Sequence, residues 1–150
     1  MSLRIIATRL TEPDAEGYPD KCKIIDESNG MEVWATDRFR TNPNPYKPGY
    51  KGSPWWKFYA QILARKYTYE YYSSDRHGIC LLLNGGAACS TTKKNPKQND
   101  GMVAFTVEIH RGFSDTWPGS SACQTVHPDD WEKFIGHFKI GDNGIYEIVS

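Results

Sequence analysis

The chain has 150 residues with 18 basic and 18 acidic side chains, so its formal net charge is zero. This length fits one domain with its own core, and we expect residues 1–150 to form a single domain. The balanced charge argues against nucleic acid or an anionic membrane as a partner and favours a neutral or zwitterionic ligand.

The chain has neither a membrane span nor a secretion signal by sequence. No apolar run approaches the length that a bilayer requires, and Met1-Ser2-Leu3-Arg4 lacks the charged and apolar sections of a leader. We therefore expect a protein that is soluble as given.

The first part of the chain predicts antiparallel strands. Arg4–Leu10 reads as a strand, and Lys21–Asp26 and Met31–Asp37 flank Ser28-Asn29-Gly30. An Asn-Gly pair between two such runs favours a hairpin because both residues tolerate a positive φ. We expect a β-meander here.

A stretch rich in proline and glycine, residues 39–54, predicts a long loop. We favour a loop that packs on the surface over a lid that faces a substrate. Residues 55–63 match both helical and strand periodicity, and we favour a short helix or turn.

Two strands are predicted in the middle of the chain. Lys66–Tyr72 alternates aromatic with polar residues, which predicts a strand with three tyrosines towards the core. Ile79–Leu83 is apolar on both faces, as in a central strand. Between them, His77 is expected in a turn, with membership of a site as the alternative. Residues 87–100 are polar and predict a mobile hairpin tip.

The last third predicts strand, loop, helix and strand. Gly101–Ile109 is rich in strand-forming residues and would deliver His110 at its end. Pro128 followed by two aspartates indicates the start of a helix. Gly144–Val149 predicts a closing strand. The apolar residues on one face of the predicted helix are Trp131, Phe134, Ile135 and Phe138.

The loop between that strand and that helix holds the reactive side chains. A thiol beside an imidazole loses its proton more readily, and the thiolate attacks acyl carbons. The loop is long enough to fold Cys123 back beside His110. Backbone N–H groups at Ser121, Ala122 and Cys123 would then receive the charge that develops on a substrate oxygen.

These residues resemble the active-site signature of the L,D-transpeptidase catalytic domain, in which His-x-Gly is followed after a loop by Ser-x-Gly-Cys-x-Arg. His110-Arg111-Gly112 matches the first part, and the segment from Ser120 to Thr125 matches the second. Ala122 stands where the family has glycine, and Thr125 stands where it has arginine. The pattern, with the following Trp-x-x-Phe, is also similar to small phage-associated and bacterial domains. The resemblance covers about residues 105–138.

The resemblance implies a fold and a set of site residues. The fold is mainly β, a β-rich α+β domain built as a mixed-sheet sandwich or half-barrel, with one helix after the cysteine motif. Cys123 would be the nucleophile, His110 the base, and Ser120 would orient the imidazole or bind the substrate. Gly112, Ser121 and Ala122 would supply backbone donors to the oxyanion. The expected substrate-binding residues are Arg111, Gln124, Thr125, Trp117, His77 and Arg76, of which Arg111 or Arg76 would replace the missing arginine.

The implied function is cysteine-dependent acyl transfer on peptidoglycan stem peptides. A thioester on Cys123 would pass to an amine in transpeptidation or to water in hydrolysis. We expect peptidoglycan or its peptide fragments as the partner, the bacterial cell wall or periplasm as the place of action, and neither a cofactor nor a metal.

Several alternatives stay open. An isolated cysteine and histidine are more often a buried thiol and a hydrogen-bonded imidazole. Five Trp, nine Tyr and six Phe also suit a non-catalytic cell-wall or carbohydrate-binding module. A phage or cell-surface structural component is a third possibility.

Metal and disulfide chemistry are further alternatives. A catalytic zinc is a minor one because the spacings carry no zinc signature; its candidate ligands are His77, His110, Cys123 and His127. Cys80 and Cys89 would be bridged across the intervening turn in an oxidising compartment and free in a reducing one.

Overall fold

A computed structural model describes residues 2–10, 17–43, 61–95, 98–119 and 122–150. These residues form a mainly β structure with one α-helix, as the sequence predicted. The strands are β1 Leu3–Thr8, β2 Asp20–Asp26, β3 Met31–Arg40, β4 Lys66–Ser74, β5 Gly78–Leu83, β6 Cys89–Asn95, β7 Gly101–Ala104, β8 Glu108–Arg111, β9 Gln124–Val126 and β10 Asn143–Val149, and the helix α1 spans Pro128–Ile135.

Eight strands close into a barrel in the order β1-β10-β4-β5-β8-β9-β3-β2. The pairs β1–β10 and β8–β9 are parallel, and the other neighbours in the barrel are antiparallel. The family resemblance implied a mixed-sheet sandwich or half-barrel, and the sheet is indeed mixed. Its closure was not predicted; closure depends on parallel pairing of the first and last strands and leaves the barrel without free edges.

The predicted β-meander is confirmed. Strands β1, β2 and β3 pair in antiparallel order, and the turn between β2 and β3 ends at Gly30 with φ of 72°. However, β3 continues to Arg40, so the predicted loop begins later than residue 39 because Phe39 pairs with Val126 inside the sheet. The rest of that loop and the segment that follows it, residues 44–60, lie outside the described residues.

The barrel interior is built from residues in register on neighbouring strands. Ile24, Ile5, Tyr146 and Tyr67 lie side by side across β2, β1, β10 and β4, and all four are buried. The prediction that the tyrosines of β4 face the core is confirmed for Tyr67 and Tyr69, which are buried, and for Tyr71, which packs against the core from a half-buried position. These bulky side chains fill the barrel, as in other small closed barrels.

Helix α1 begins where the sequence predicted. Pro128 occupies the first turn, and the ring nitrogen Nδ1 of His127 accepts the backbone N–H of Asp129 at 3.0 Å as an N-cap. Trp131, Phe134 and Phe138 are buried against the barrel. Among the helices of the described ranges, none has the length and apolar character needed to cross a bilayer.

The predicted strand 101–109 is in fact two strands. β7 leaves the barrel and pairs with β6 in a separate two-stranded sheet, while β8 stays in the barrel. The chain turns between them at Thr106, which has φ of 52° and donates its N–H to the carbonyl of Gly86 at 3.0 Å. Residues 89–95, predicted as part of a mobile tip, therefore form a paired strand.

Candidate active site

Strand β8 carries two polar side chains on one face and apolar side chains on the other. Ile109 points into the core, and because side chains alternate along a strand, Glu108 and His110 point away from it. Both are only 3% exposed, because they face a cavity rather than open solvent. The β6–β7 sheet helps to cover this cavity with Asn95 and Ala104.

The cavity has a volume of about 340 Å³ and brings the proposed nucleophile and base together. Its lining includes Arg76, His77, Glu108, His110, Ala122 and Cys123. These residues come from the β4–β5 turn, from β8 and from the loop before β9. The arrangement is possible because β8 and β9 are parallel neighbours, with His110 opposite Thr125.

His110 is held in one orientation and one tautomer. Its Nδ1 donates to the backbone carbonyl of Arg111 at 2.8 Å, so the lone pair of a neutral ring is on Nε2. Burial, and after it the charge of His77, lower the pKa of His110 to about 4. The ring is therefore neutral near pH 7 and can accept a proton. The Arg111 carbonyl orients the imidazole, the role predicted for Ser120, which lies outside the described residues.

Cys123 is half-buried immediately before β9, and its Sγ accepts the backbone N–H of Glu108 at 3.3 Å. Burial raises the pKa of Cys123 to about 12, although the hydrogen bond from Glu108 opposes this change. The resting sulfur is consequently a thiol. It needs a base at the moment of attack, and His110 lines the same cavity.

Glu108 and His77 complete the cluster. Nδ1 of His77 donates to the Glu108 carboxylate at 2.6 Å, and the His77 ring stacks on the His110 ring with centroids 3.9 Å apart and planes 9° apart. The turn is fixed by Ser74, whose Oγ accepts the backbone N–H groups of Arg76 and His77 at 3.1 Å each. Sequence reasoning missed Glu108, although a single carboxylate two residues before His110 on a strand was a signal for a shared face.

Two predicted substrate-binding residues, Gln124 and Thr125, are buried and do not line the cavity. Gln124 faces the barrel interior, where its Oε1 accepts the hydroxyl of Tyr146 at 2.7 Å and its Nε2 donates to the Thr41 carbonyl at 3.2 Å. Thr125 is also fully buried. Neither residue is part of the cavity lining, so a contact of either side chain with a substrate stays a prediction. Both belong to β9, a strand too short to give a periodic signal in the sequence.

Arg111 and Trp117 also lie outside the cavity lining. Arg111 is exposed and borders a separate surface depression together with Asp115 and Asp129. Trp117 packs against Phe113, with ring centroids 4.7 Å apart. Of the two arginines considered as substitutes for the missing cation, Arg76 is the one in the cavity.

The backbone N–H of Gly112 is already hydrogen-bonded within the barrel. It donates to the Val126 carbonyl at 2.8 Å, so it does not take the predicted role of a donor to the oxyanion. Ala122 lines the cavity, whereas Ser121 lies outside the described residues.

The four candidate zinc ligands are not all brought together: His77, His110 and Cys123 line the cavity, but His127 does not. His127 caps α1 instead of lining the cavity, and it lies near Asp115 and Asp129. In the described part of the chain, Asp115, His127 and Asp129 form the group whose potential metal-ligand atoms lie within 4.8 Å of one another. Because Nδ1 of His127 accepts an N–H, a neutral ring carries its proton on Nε2, towards Asp115, and offers no lone pair there. None of the four cysteines forms a disulfide, so Cys80 and Cys89 are not bridged.

Comparison with known proteins found no matching family model, curated protein or solved structure. Function must therefore be argued from the chemistry of the site.

Proposed function

We propose that the protein is a cysteine acyltransferase that acts on peptidoglycan stem peptides, with Cys123 as nucleophile and His110 as base. The observation that carries this proposal is that a thiol and an oriented, neutral imidazole line one cavity. The cavity is large enough for part of a peptide and lies at an opening between the barrel and the β6–β7 sheet. The match of His110-Arg111-Gly112 and Cys123 to the L,D-transpeptidase signature supports the same chemistry.

The reaction has two halves. Sγ of Cys123 attacks the peptide carbonyl while its proton passes to Nε2 of His110, which forms a tetrahedral oxyanion. Collapse breaks the C–N bond, the leaving amine takes the proton from His110, and a thioester remains. An acceptor amine or water then attacks the thioester and gives a proton to His110, and that proton returns to sulfur when the C–S bond breaks.

The protonation states define how the first step proceeds. The thiol of Cys123 has a pKa near 12 and the imidazole of His110 has a pKa near 4, so a stable thiolate–imidazolium pair does not form at rest. Proton transfer must therefore accompany formation of the C–S bond. Ala122 lines the cavity, and its backbone N–H would serve as an oxyanion donor.

The cavity favours a substrate that carries a carboxylate. The lining includes Arg76 and the imidazoles of His77 and His110. Glu108 is the acidic residue among the described residues of the lining, and its carboxylate accepts a hydrogen bond from His77. A guanidinium binds a carboxylate with two hydrogen bonds. Arg76 would thus replace the arginine that the family has at the position of Thr125.

A second function is favoured by exposed aromatic rings near the cavity. Phe105 lines it and is 50% exposed, while Phe113 is 66% exposed and packs against Trp117. Flat rings of this kind stack on sugars. The alternative proposal is a wall-binding module that holds glycan without cleaving or joining peptides.

One experiment separates the two functions. Purified sacculi and soluble muropeptides are incubated with the wild-type protein, with Cys123→Ala, and with Cys22→Ala as a matched control, since Cys22 is a buried thiol outside the cavity lining. Acyl transfer predicts new or shortened muropeptides for the wild type and Cys22→Ala and none for Cys123→Ala. Binding of all three proteins to sacculi with unchanged muropeptides would support the binding module and contradict the enzyme.

A further inference from the structure

We propose that His77 and Glu108 are positioning residues for His110: Glu108 holds His77, and the stacked His77 ring fixes the plane of the His110 ring. This inference rests on the proposed role of His110 as the base. It assigns a function to a pair of residues that the cysteine–histidine motif does not contain.

The first support is the geometry of the stack. The His77 and His110 rings are almost parallel, with planes 9° apart and centroids separated by 3.9 Å. Parallel stacking at this distance brings the two rings into direct contact, and a hydrogen bond to each ring holds it in the stack. Those bonds are visible on each side: His77 donates to Glu108 at 2.6 Å, and His110 donates to the Arg111 carbonyl at 2.8 Å.

The second support is the burial of Glu108. Its carboxylate is only 3% exposed, and a buried charge is costly unless it is paired. Its partners are the His77 N–H and the Cys80 thiol, whose hydrogen bonds keep the pKa of Glu108 low although burial alone would raise it. Loss of His77 would leave this buried charge with only the weak thiol donor, so the contact holds His77 firmly in place.

Glu108 also links the base to the nucleophile. Its side chain holds the ring that stacks on His110, and its backbone N–H donates to Sγ of Cys123 at 3.3 Å. A single residue of β8 thus contacts the sulfur directly and the base through His77. This is the arrangement expected where two reacting groups must be kept within a fraction of an ångström.

Electrostatics explain why the ring stays uncharged. Two positive imidazoles whose centroids lie 3.9 Å apart would repel each other. After burial, the charge of His77 is the next largest cause of the low pKa of His110, ahead of the opposing effect of Glu108. The titratable and charged groups around His110 are Arg76 and His77 on the β4–β5 turn, Glu108 and Arg111 on β8, Cys80 on β5, and Cys123 before β9.

The variant His77→Gln tests the inference. Glutamine keeps an N–H donor for Glu108, so the carboxylate is not left unpaired, but it removes the stacked ring and its charge. NMR titration of His110 should show its pKa rising by at least about one pH unit, because the neighbouring positive charge is gone while Glu108 remains. The same substitution at His137, a half-buried histidine whose Nδ1 donates to the Lys133 carbonyl, is the matched control and should leave His110 unchanged.

Kinetics give a second readout. His77→Gln should lower kcat about tenfold with KM within about twofold, because the orientation of the His110 ring is lost while Arg76, the proposed contact for the substrate carboxylate, is kept. The acid limb of the pH–rate profile should move to higher pH by the same amount as the His110 pKa measured by NMR. A purely structural role for His77 would reduce stability without moving either of them.

The outcomes are distinguishable. If His110 titrates identically in the wild type and in His77→Gln, the inference is wrong whatever the activity. If the titration moves but the wild type shows no acyl transfer, the positioning contact stands and the proposed function fails. In the wild type itself, the spectra should show both rings charged together only in acid; simultaneous protonation near pH 7 would overturn the inference without any variant.

Discussion

The hydroxyl of Tyr18 occupies the place where a side chain at residue 112 would begin. A Cβ atom added to Gly112 would lie 1.9 Å from the Tyr18 oxygen and 2.6 Å from the ring carbon that carries it. Tyr18 is anchored there, because its hydroxyl donates to the Ser114 carbonyl at 2.7 Å and its ring contacts His127. Glycine in the His-x-Gly motif is thus required by packing behind the loop that leads to Cys123.

Gly112→Ala should therefore destabilise the protein by about 1–3 kcal/mol, the usual cost of overpacking. The measurement is urea unfolding of the single variants and of Tyr18→Ala/Gly112→Ala. In the Tyr18→Ala background the added methyl meets no ring, so its cost should fall to a small fraction. Equal costs in both backgrounds would show that Tyr18 is not the reason for the glycine.

Cys123 should react slowly with iodoacetamide at pH 7 and faster by about tenfold for each pH unit up to pH 10, because burial raises its pKa to about 12. It should nevertheless be labelled before the other three cysteines, which are at most 2% exposed. Peptide mapping after timed labelling gives the rates. Fast labelling that is already constant near pH 7 would reveal a preformed thiolate and contradict the general-base mechanism.

The burial of His110 should make the protein less stable in acid. The pKa of this ring is about 4 in the folded protein against an ordinary value of 6.5, so the unfolded chain binds its proton first as the pH falls. The contribution to stability is complete above pH 6.5 and is lost progressively towards pH 4, by roughly 3 kcal/mol in total.

Urea unfolding of the wild type and of His110→Gln at pH 7, 5.5 and 4 measures this contribution. The difference in unfolding free energy between the two proteins should shrink as the pH falls. A difference that is independent of pH would show that His110 titrates normally in the folded state.

Arg76→Gln should raise KM for a stem peptide with a free carboxylate by about tenfold, which corresponds to the loss of one charge-assisted contact. Arg111→Gln is the matched control, since Arg111 borders a different depression. The peptide amide should be bound equally by the wild type and by Arg76→Gln. An effect of Arg111→Gln alone would place the carboxylate elsewhere.

The sequence predicted the elements whose patterns are local. The Asn29-Gly30 turn, the alternation in β4 and the start of α1 at Pro128 each depend on neighbouring residues, and the structure confirms all three. Barrel closure could not be predicted in this way, because it requires β1 and β10 to pair from opposite ends of the chain.

The candidate site was predicted only in part, because it also depends on contacts between strands that are distant in the sequence. The structure places Cys123 and His110 in one cavity, as the motif suggested. The orientation of the Gln124 side chain towards the barrel interior could not be predicted from its proximity to Cys123, because it is set by the pairing of β9 with β8. Glu108 was overlooked because its importance arises from a contact with His77 across two strands.

The central claim is that Cys123 forms a thioester, and intact-protein mass spectrometry during turnover of a stem peptide tests it most directly. The account predicts a mass increase equal to the acyl part of the donor, located on Cys123 by peptide mapping, discharged by hydroxylamine and strongly reduced in His110→Gln. Conversion of the peptide by wild-type and Cys123→Ala proteins alike, with no adduct on this cysteine, would contradict it.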